Sequence, residues 1–335
     1  MPENWTNQSE RGSYGWILLS ARVYNLLGRR LTLLILSPAI LFYYLNGRAP
    51  RQASMAYLRR AFEQGLLPKK PGFWQGYRHF MTFAGSLLDK LAGWTGKIGP
   101  EDIDGANDEA FTAAKYNGRG GLLLTAHMGN TELIRAVASV GRRFPVTVVM
   151  HTGNAEQFNA VIRKFSPDSQ VRVVEVREIN IGVAMEFSAA VERGEWVVIT
   201  ADRLPAGESR EGTYLLADFL GTPARFPVGP YVLAAALKCP CYFLACIRTG
   251  AGKQFRIIFR PFADPVKFPR GNRQGAIRGY MKQYADLLVE VLREAPYQWF
   301  NFYDYWGDFE PVQRDMDRAS ADLMNREDAS ECQSS

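Results

Sequence analysis

The chain has only four cysteines in 335 residues, and three of them, Cys239, Cys241 and Cys246, stand in or beside one apolar stretch. Cys239-Pro-Cys241 is too tightly spaced for a zinc knuckle, no second pair follows, and neither His127 nor His151 has a finger-like partner. No metal site is expected, and the cysteines read as part of a buried strand in a reducing compartment. A Gly-x-Ser-x-Gly elbow is missing, which argues against a serine nucleophile of the hydrolase type. A dinucleotide fingerprint is missing too: Gly118-Arg-Gly-Gly121 precedes an apolar run, whereas phosphate-binding glycines follow a strand and open a helix. There is no low-complexity tract and no fixed-period repeat. Polar and mixed residues up to Arg30 precede the first long apolar run and no small-x-small site follows it, so a cleaved signal peptide is not expected and the catalytic part should stay cytoplasmic.

What is present suffices for a large core: 47% of the residues are hydrophobic, enough to fold without disulfides or metal. The formal net charge of +6 points to an anionic partner, either nucleic acid or a membrane surface. The N-terminal region favours the membrane. Leu31 to Leu45 reads LTLLILSPAILFYYL, with Arg29-Arg30 before it and Arg48 and Arg51 after it. Pro38 interrupts the run, which falls short of the roughly 20 residues of a straight span, while Tyr14 to Leu27 extends it as an amphipathic helix. A buried helix pair would give the same pattern. The aromatic cluster Gln298 to Trp306 suits burial against a sheet or a bilayer face better than base stacking, and no nucleic acid partner is expected.

Four regions follow from texture. Residues 1–13 are polar and disordered in expectation, 14–95 form a helical, membrane-contacting preface, 96–312 form an α/β domain, and 313–335 are a polar tail. Within the preface, Met55 to Phe62 and Phe73 to Phe83 space apolar residues by three and four, as amphipathic helices do. Beyond it, strands are expected at Gly121–Ala126, Val146–Met150, Val171–Val176, Trp196–Thr200, Cys241–Ile247 and Phe255–Phe259. Helices are expected at Thr131–Val140, Ala155–Phe165, Gly182–Arg193, Pro230–Leu237 and Gln274–Glu294. The fold class is a mixed β-sheet flanked by helices.

His127-Met-Gly-Asn-Thr-Glu132 stands where an apolar strand gives way to a helix that Asn130 or Thr131 can cap. From the first helical turn the Glu132 carboxylate can reach one imidazole nitrogen of His127 and leave the other facing substrate. A neutral imidazole so held takes a proton from an attacking hydroxyl, and the carboxylate stabilises the imidazolium. The acceptor is then itself the nucleophile. His151-Thr-Gly-Asn-Ala-Glu156 repeats the pattern after the next strand, and spacing does not choose between the two; His151 with Asn154 reads equally as part of an acyl or acceptor site. Phe219 to Pro230 reads as a glycine- and proline-rich turn whose exposed amides, Gly221 among them, and Arg225 suit a phosphate or carrier group. It reads as well as a plain connection. Asp202-Arg203 ends a strand at the edge where α/β sheets hold ligands, and Arg163 and Lys164 close the helix after the second motif; solvated ion pairs explain these equally.

Taken together, the apolar N-terminal segment, His127-x4-Glu132, the Asp202 strand end and Phe219-x-Gly-x-x-Ala-x-x-Pro-x-Gly229 with Ala234 and Pro240 resemble the late lipid A biosynthesis acyltransferases of the lysophospholipid acyltransferase superfamily. The resemblance spans residues 14 to 309. It implies a glycerolipid acyltransferase-like fold, with His127 as general base, Glu132 as its orienting carboxylate, and Arg163 or Lys164 with Asp202 in the acceptor cleft. It implies no cofactor beyond an acyl co-substrate on acyl carrier protein or coenzyme A, a lipid acceptor, and a place on the cytoplasmic face of the bacterial inner membrane, peripheral or singly anchored. Arg203 after Asp202, and Gln298-Trp-Phe-Asn-Phe-Tyr in place of a basic closing segment, depart from the lipid A pattern. The closing segment and His151-x-x-Asn-Ala-Glu-x-Phe-Asn159 look more like the acyltransferase-like proteins associated with aryl-polyene pigments, leaving lipid A, an aryl-polyene lipid or a glycerolipid as acceptor. A thioesterase or lipid hydrolase on the same fold and a non-catalytic lipid-binding protein are the competing readings.

Overall fold

A computed structural model describes residues 14–94, 96–105, 109–116, 118–133, 145–150, 171–175, 181–204, 210–250 and 254–307. It opens with three helices, α1 (Tyr14–Asn46), α2 (Arg48–Glu63) and α3 (Phe73–Trp94). α1 is two helices joined at Gly28, whose φ of 71° breaks the helical path where a side chain would be strained. Past the kink, Tyr44 packs edge-on against Phe73 and Phe80 of α3. The other side of the same helix leaves Leu26, Leu31, Leu34, Ile35, Phe42 and Tyr43 exposed. Leu26–Asn46 is long and apolar enough to cross a membrane. A buried helix pair would have covered that face; among the described residues α1 packs on α3 and, to a lesser extent, on α2, and that face stays uncovered.

The remaining elements are β1 (Ile103–Asp104), α4 (Glu109–Tyr116), β2 (Gly121–Thr125), β3 (Val146–Met150), β4 (Val171–Glu175), α5 (Ile181–Glu192), β5 (Trp196–Thr200), β6 (Tyr214–Phe219), β7 (Thr222–Pro227), α6 (Gly229–Leu237), β8 (Cys241–Arg248), β9 (Phe255–Ala263) and α7 (Arg273–Glu294). Seven strands form one sheet in the order β1-β9-β8-β2-β5-β3-β4. It is mixed: β8 and β9 are antiparallel, the other neighbours parallel. β2 lies in the middle and all five of its residues are buried, as expected of a parallel strand covered on both faces. Its side chains alternate between two cores. Leu122 and Leu124 join Tyr57 of α2, Phe187 of α5, Leu233 of α6 and Tyr284 of α7, while Leu123 joins Ala92 of α3 and Phe111 of α4.

Most expected strands and helices are found within a residue at their starts, although β9 runs on to Ala263. Two elements depart from the expectation. The block from Phe219 to Pro230 is not an open turn: β6 and β7 pair antiparallel across it, and the bend is confined to Leu220 and Gly221, both at positive φ (55° and 74°). Two consecutive positive φ values make the two-residue bend that matches strand twist, but leucine in the first place hides it from sequence patterns. The expected helix from Thr131 opens as a 3₁₀ turn, Thr131–Leu133; its continuation, and the expected helix at 155–165, lie outside the described residues.

Candidate active site

The central position of β2 decides where His127 goes. β2 pairs in register with β5, Thr125 opposite Thr200, and the Ala201 amide donates to the Thr125 carbonyl at 3.0 Å. Two residues beyond each strand, His127 and Asp202 therefore emerge side by side at the carboxyl edge of the sheet. The Asp202 carboxylate meets His127 twice: Oδ1 lies 2.8 Å from Nδ1 and Oδ2 accepts the His127 amide at 3.0 Å. Oδ2 also accepts the Trp299 indole N–H at 3.1 Å, and the Tyr305 hydroxyl donates to the Asp202 carbonyl at 2.6 Å.

The two partners differ in exposure. The Asp202 side chain is 0% exposed and that of His127 41%. Burial alone would raise the Asp202 carboxyl, but His127, the Arg203 guanidinium and the donated hydrogen bonds hold it well below the usual carboxylate range. It is ionised, and as an acceptor-only group it fixes the proton of a neutral imidazole on Nδ1. Nε2 then carries the lone pair, and it has no hydrogen-bond partner among the described residues. Desolvation lowers the His127 pKa below its ordinary 6.5, outweighing the upward pull of Asp202.

The loop after His127 is clamped on both sides. Met128 bridges Trp299 and Gly129 bridges Cys246 of β8. Gly129 donates to the Gln298 carbonyl at 2.8 Å, Asn130 to the Cys246 carbonyl at 2.7 Å, and Phe300 to the His127 carbonyl at 2.9 Å. Gly129 has φ 60° and approaches the Cys246 carbonyl so closely that no Cβ fits.

Beside this loop a cleft of about 300 Å³ is lined by Arg29, Arg78, Asp89, Asn130, Arg248 and Gln298 among others. Asp89, 2% exposed, takes Arg29 Nε at 2.8 Å and Arg248 Nη1 at 3.1 Å on one oxygen, so the cleft presents more positive than negative charge. Asn130 is 3% exposed and its amide nitrogen donates to the Ser86 carbonyl at 3.1 Å. Its Oδ1 has no hydrogen-bond partner among the described residues.

The structure thus brings together His127, Asn130, Asp202 and Arg203, whose Nη2 donates to the Phe300 carbonyl at 3.0 Å. The sequence reading put Glu132 on the imidazole and Asp202 in the acceptor cleft. The carboxylate found on Nδ1 is that of Asp202, while the Glu132 side chain, in the turn that follows, lies outside the described residues, as do His151, Asn154, Arg163 and Lys164. Gly221 and Arg225 belong to the β6–β7 hairpin, where the expected free turn is a paired ladder and the Arg225 guanidinium lies 5.0 Å from the Tyr214 ring centre. Sequence reasoning missed Trp299 as a ligand of Asp202 and the trio Arg29, Asp89 and Arg248. The one available signal was that His127 and Asp202 each stand two residues past an apolar run ending in threonine.

A family model described as bacterial lipid A biosynthesis acyltransferase matches residues 89–307. The chain belongs to that family. No curated protein matches it. The matched segment of this lipid A biosynthesis acyltransferase runs from Asp89 in α3 to Gly307, so it takes in His127, Asp202, Arg248 and Trp299 and leaves α1, α2 and most of α3 ahead of it. Membership makes the protein an O-acyltransferase with an acyl donor and a lipid acceptor. The match is to the family as a whole and does not separate a pigment-associated branch.

Proposed function

We propose that His127 Nε2 is the general base for direct transfer of a fatty acyl group from a thioester, on acyl carrier protein or coenzyme A, to a hydroxyl of a membrane lipid. The supporting observation is the fully buried Asp202 carboxylate on Nδ1, opposite a partly exposed ring. As the acceptor oxygen attacks the thioester carbonyl, its proton passes to Nε2. The tetrahedral intermediate collapses with cleavage of the C–S bond, and the imidazolium returns its proton to the departing sulfur. Asp202 stabilises that imidazolium without taking the proton. An imidazole has two nitrogens, and the one that accepts the hydroxyl proton must stay free; with Asp202 on Nδ1 the orienting role falls to Asp202 in preference to Glu132.

The acceptor headgroup is assigned to the cleft of Arg29, Arg78 and Arg248, where the Asp89 carboxylate holds two guanidiniums ready for an anionic group. Arg29 and Leu33 of α1 line that cleft, so a lipid resting on the exposed face of α1 reaches it from the bilayer. This favours the cytoplasmic side of the inner membrane, where the thioester donors are. Charging that face with Leu34→Glu and Ile35→Glu together is expected to lower partition onto anionic phospholipid vesicles by about tenfold or more. Unchanged sedimentation with vesicles would remove α1 from the contact.

The transfer reading is tested with a medium-chain acyl thioester as donor and underacylated lipid A in detergent micelles as acceptor. Thiol release is expected to depend on acceptor and to match formation of a new ester. Release at the same rate without acceptor would make the protein a thioesterase. Because the base must be neutral, kcat/KM should rise with pH and level off above a midpoint below the ordinary imidazole value of 6.5. A midpoint above that value would contradict the desolvated environment.

A further inference from the structure

His79 on α3 and Ser54 on α2 are both 0% exposed, and neither belongs to the matched segment, which begins at Asp89. They are polar groups in a core that would accept apolar ones, so their hydrogen bonds need an account. The Ser54 hydroxyl lies 2.8 Å from His79 Nδ1, and His79 Nε2 lies 2.9 Å from the Trp299 carbonyl. A carbonyl only accepts, so His79 carries its proton on Nε2 and takes the Ser54 hydroxyl hydrogen on Nδ1. Desolvation lowers the His79 pKa to about 4, which leaves one neutral tautomer and one direction for the whole chain of bonds.

Trp299 is where that chain meets the active site. Its indole N–H binds Asp202, and its backbone bridges Met128, next to His127. Tyr57 of α2 packs edge-on against the Trp299 ring with centres 5.0 Å apart, and His79 stacks on Phe302 at 4.8 Å. A second bond from α3, Ser86 Oγ to the Gly129 carbonyl at 3.0 Å, holds the other end of the same loop.

We propose that Ser54 and His79 are positioning residues for acyl transfer, acting through Trp299 to hold Asp202 and thereby the ring of His127. The helical preface is thus part of the catalytic machinery as well as the membrane contact. The proposal rests on His127 being the base, and its test separates the two. Among the described residues, the charged groups facing His127 are Asp202 and Arg203 after β5 and Lys90 of α3, while aromatic rings and Ser54 face His79, so the described route from His79 to His127 runs through Trp299.

Three variants are compared in the micelle assay, each with thermal unfolding measured. His79→Leu removes the donor to Trp299, His79→Gln keeps an N–H in reach of the carbonyl, and Trp299→Phe removes the indole N–H together with part of a buried ring, so its pH profile is read on the folded fraction. His79→Leu should lower kcat by about ten- to a hundredfold with little change in KM for the thioester, and His79→Gln should recover most of it. With the Trp299 bond to Asp202 weakened or lost, the carboxylate stabilises the His127 imidazolium more fully. The acid limb of the pH–kcat profile should then move to higher pH in both His79→Leu and Trp299→Phe, and the double variant should move it little further. If His79→Leu is folded and keeps wild-type kcat and acid limb, or if Gln rescues nothing while His127→Ala is inactive, the positioning role is overturned and the base reading stands. If His127→Ala is as active as wild type, the base reading itself has failed. Should His79→Leu fail to fold, Ser54→Ala and Trp299→Phe decide: an unshifted acid limb in both overturns the proposal.

Discussion

Replacing Asp202 with asparagine is expected to cut kcat by about 10³-fold while leaving the protein folded. The amide oxygen can accept the His127 and Trp299 N–H groups that Oδ2 accepts now, so both of those donors keep their acceptor. The amide nitrogen then faces Nδ1 and donates to it, which moves the imidazole proton to Nε2. A ring protonated there has no lone pair for the acceptor hydroxyl. Asp202→Ala should behave differently: it leaves buried donors unsatisfied, which costs about 1–3 kcal/mol each, and should lower thermal stability as well. Single-turnover rates with saturating donor, set beside melting curves of both variants, check this. A folded Asp202→Asn enzyme within about tenfold of wild type would mean that Asp202 does not set the tautomer.

Gly129→Ala should damage both stability and turnover. At φ 60° an alanine is strained by itself, and its Cβ would overlap the Cys246 carbonyl and crowd Ile247 Cα. The obstruction is backbone in a central strand, which cannot swing aside as a flexible side chain would. The loop must lift from β8, losing the Asn130 amide bond to Cys246 and tilting His127 away from Asp202. A loss of about 2–4 kcal/mol in unfolding free energy is expected, with a fall in kcat of about a hundredfold in the protein that remains folded. Chemical denaturation and activity per folded molecule measure the two effects separately. Wild-type behaviour in both would show that the loop has room the geometry denies.

The continuous apolar runs made β2, β3, β5 and β8 readable, because a parallel strand covered on both faces needs no alternation. They also placed His127 and Asp202 at strand ends. What they could not supply was which strands are neighbours. The His127–Asp202 contact spans 75 residues and exists because β5 lies beside β2 with Thr200 opposite Thr125. Without that adjacency, Glu132 was the nearer carboxylate along the chain and Asp202 a free group in a cleft. The aromatic cluster from Gln298 was expected to pack against the sheet or a bilayer face, and of its residues Trp299, Tyr305 and Trp306 are buried. Its hydrogen bonds to the catalytic loop were not readable, since an indole gives no sign in sequence of what its N–H will meet. Arg29, Asp89 and Arg248 come from α1, α3 and β8, three elements whose meeting depends on the kink at Gly28 and the packing of α1 on α3. His79 and Ser54 escaped notice for another reason: each fits the spacing of an amphipathic helix, which does not distinguish a polar residue in the core from one at its rim.

The most direct test of His127 as the base of lipid acylation is mass spectrometry of the lipid extract from bacteria expressing wild type, His127→Ala or His151→Ala. A new acylated lipid present with wild type and His151→Ala and absent with His127→Ala is the expected result, and its mass would name the acceptor and the chain transferred. The same lipid persisting with His127→Ala, and lost with His151→Ala, would contradict the account and move the chemistry to the second motif.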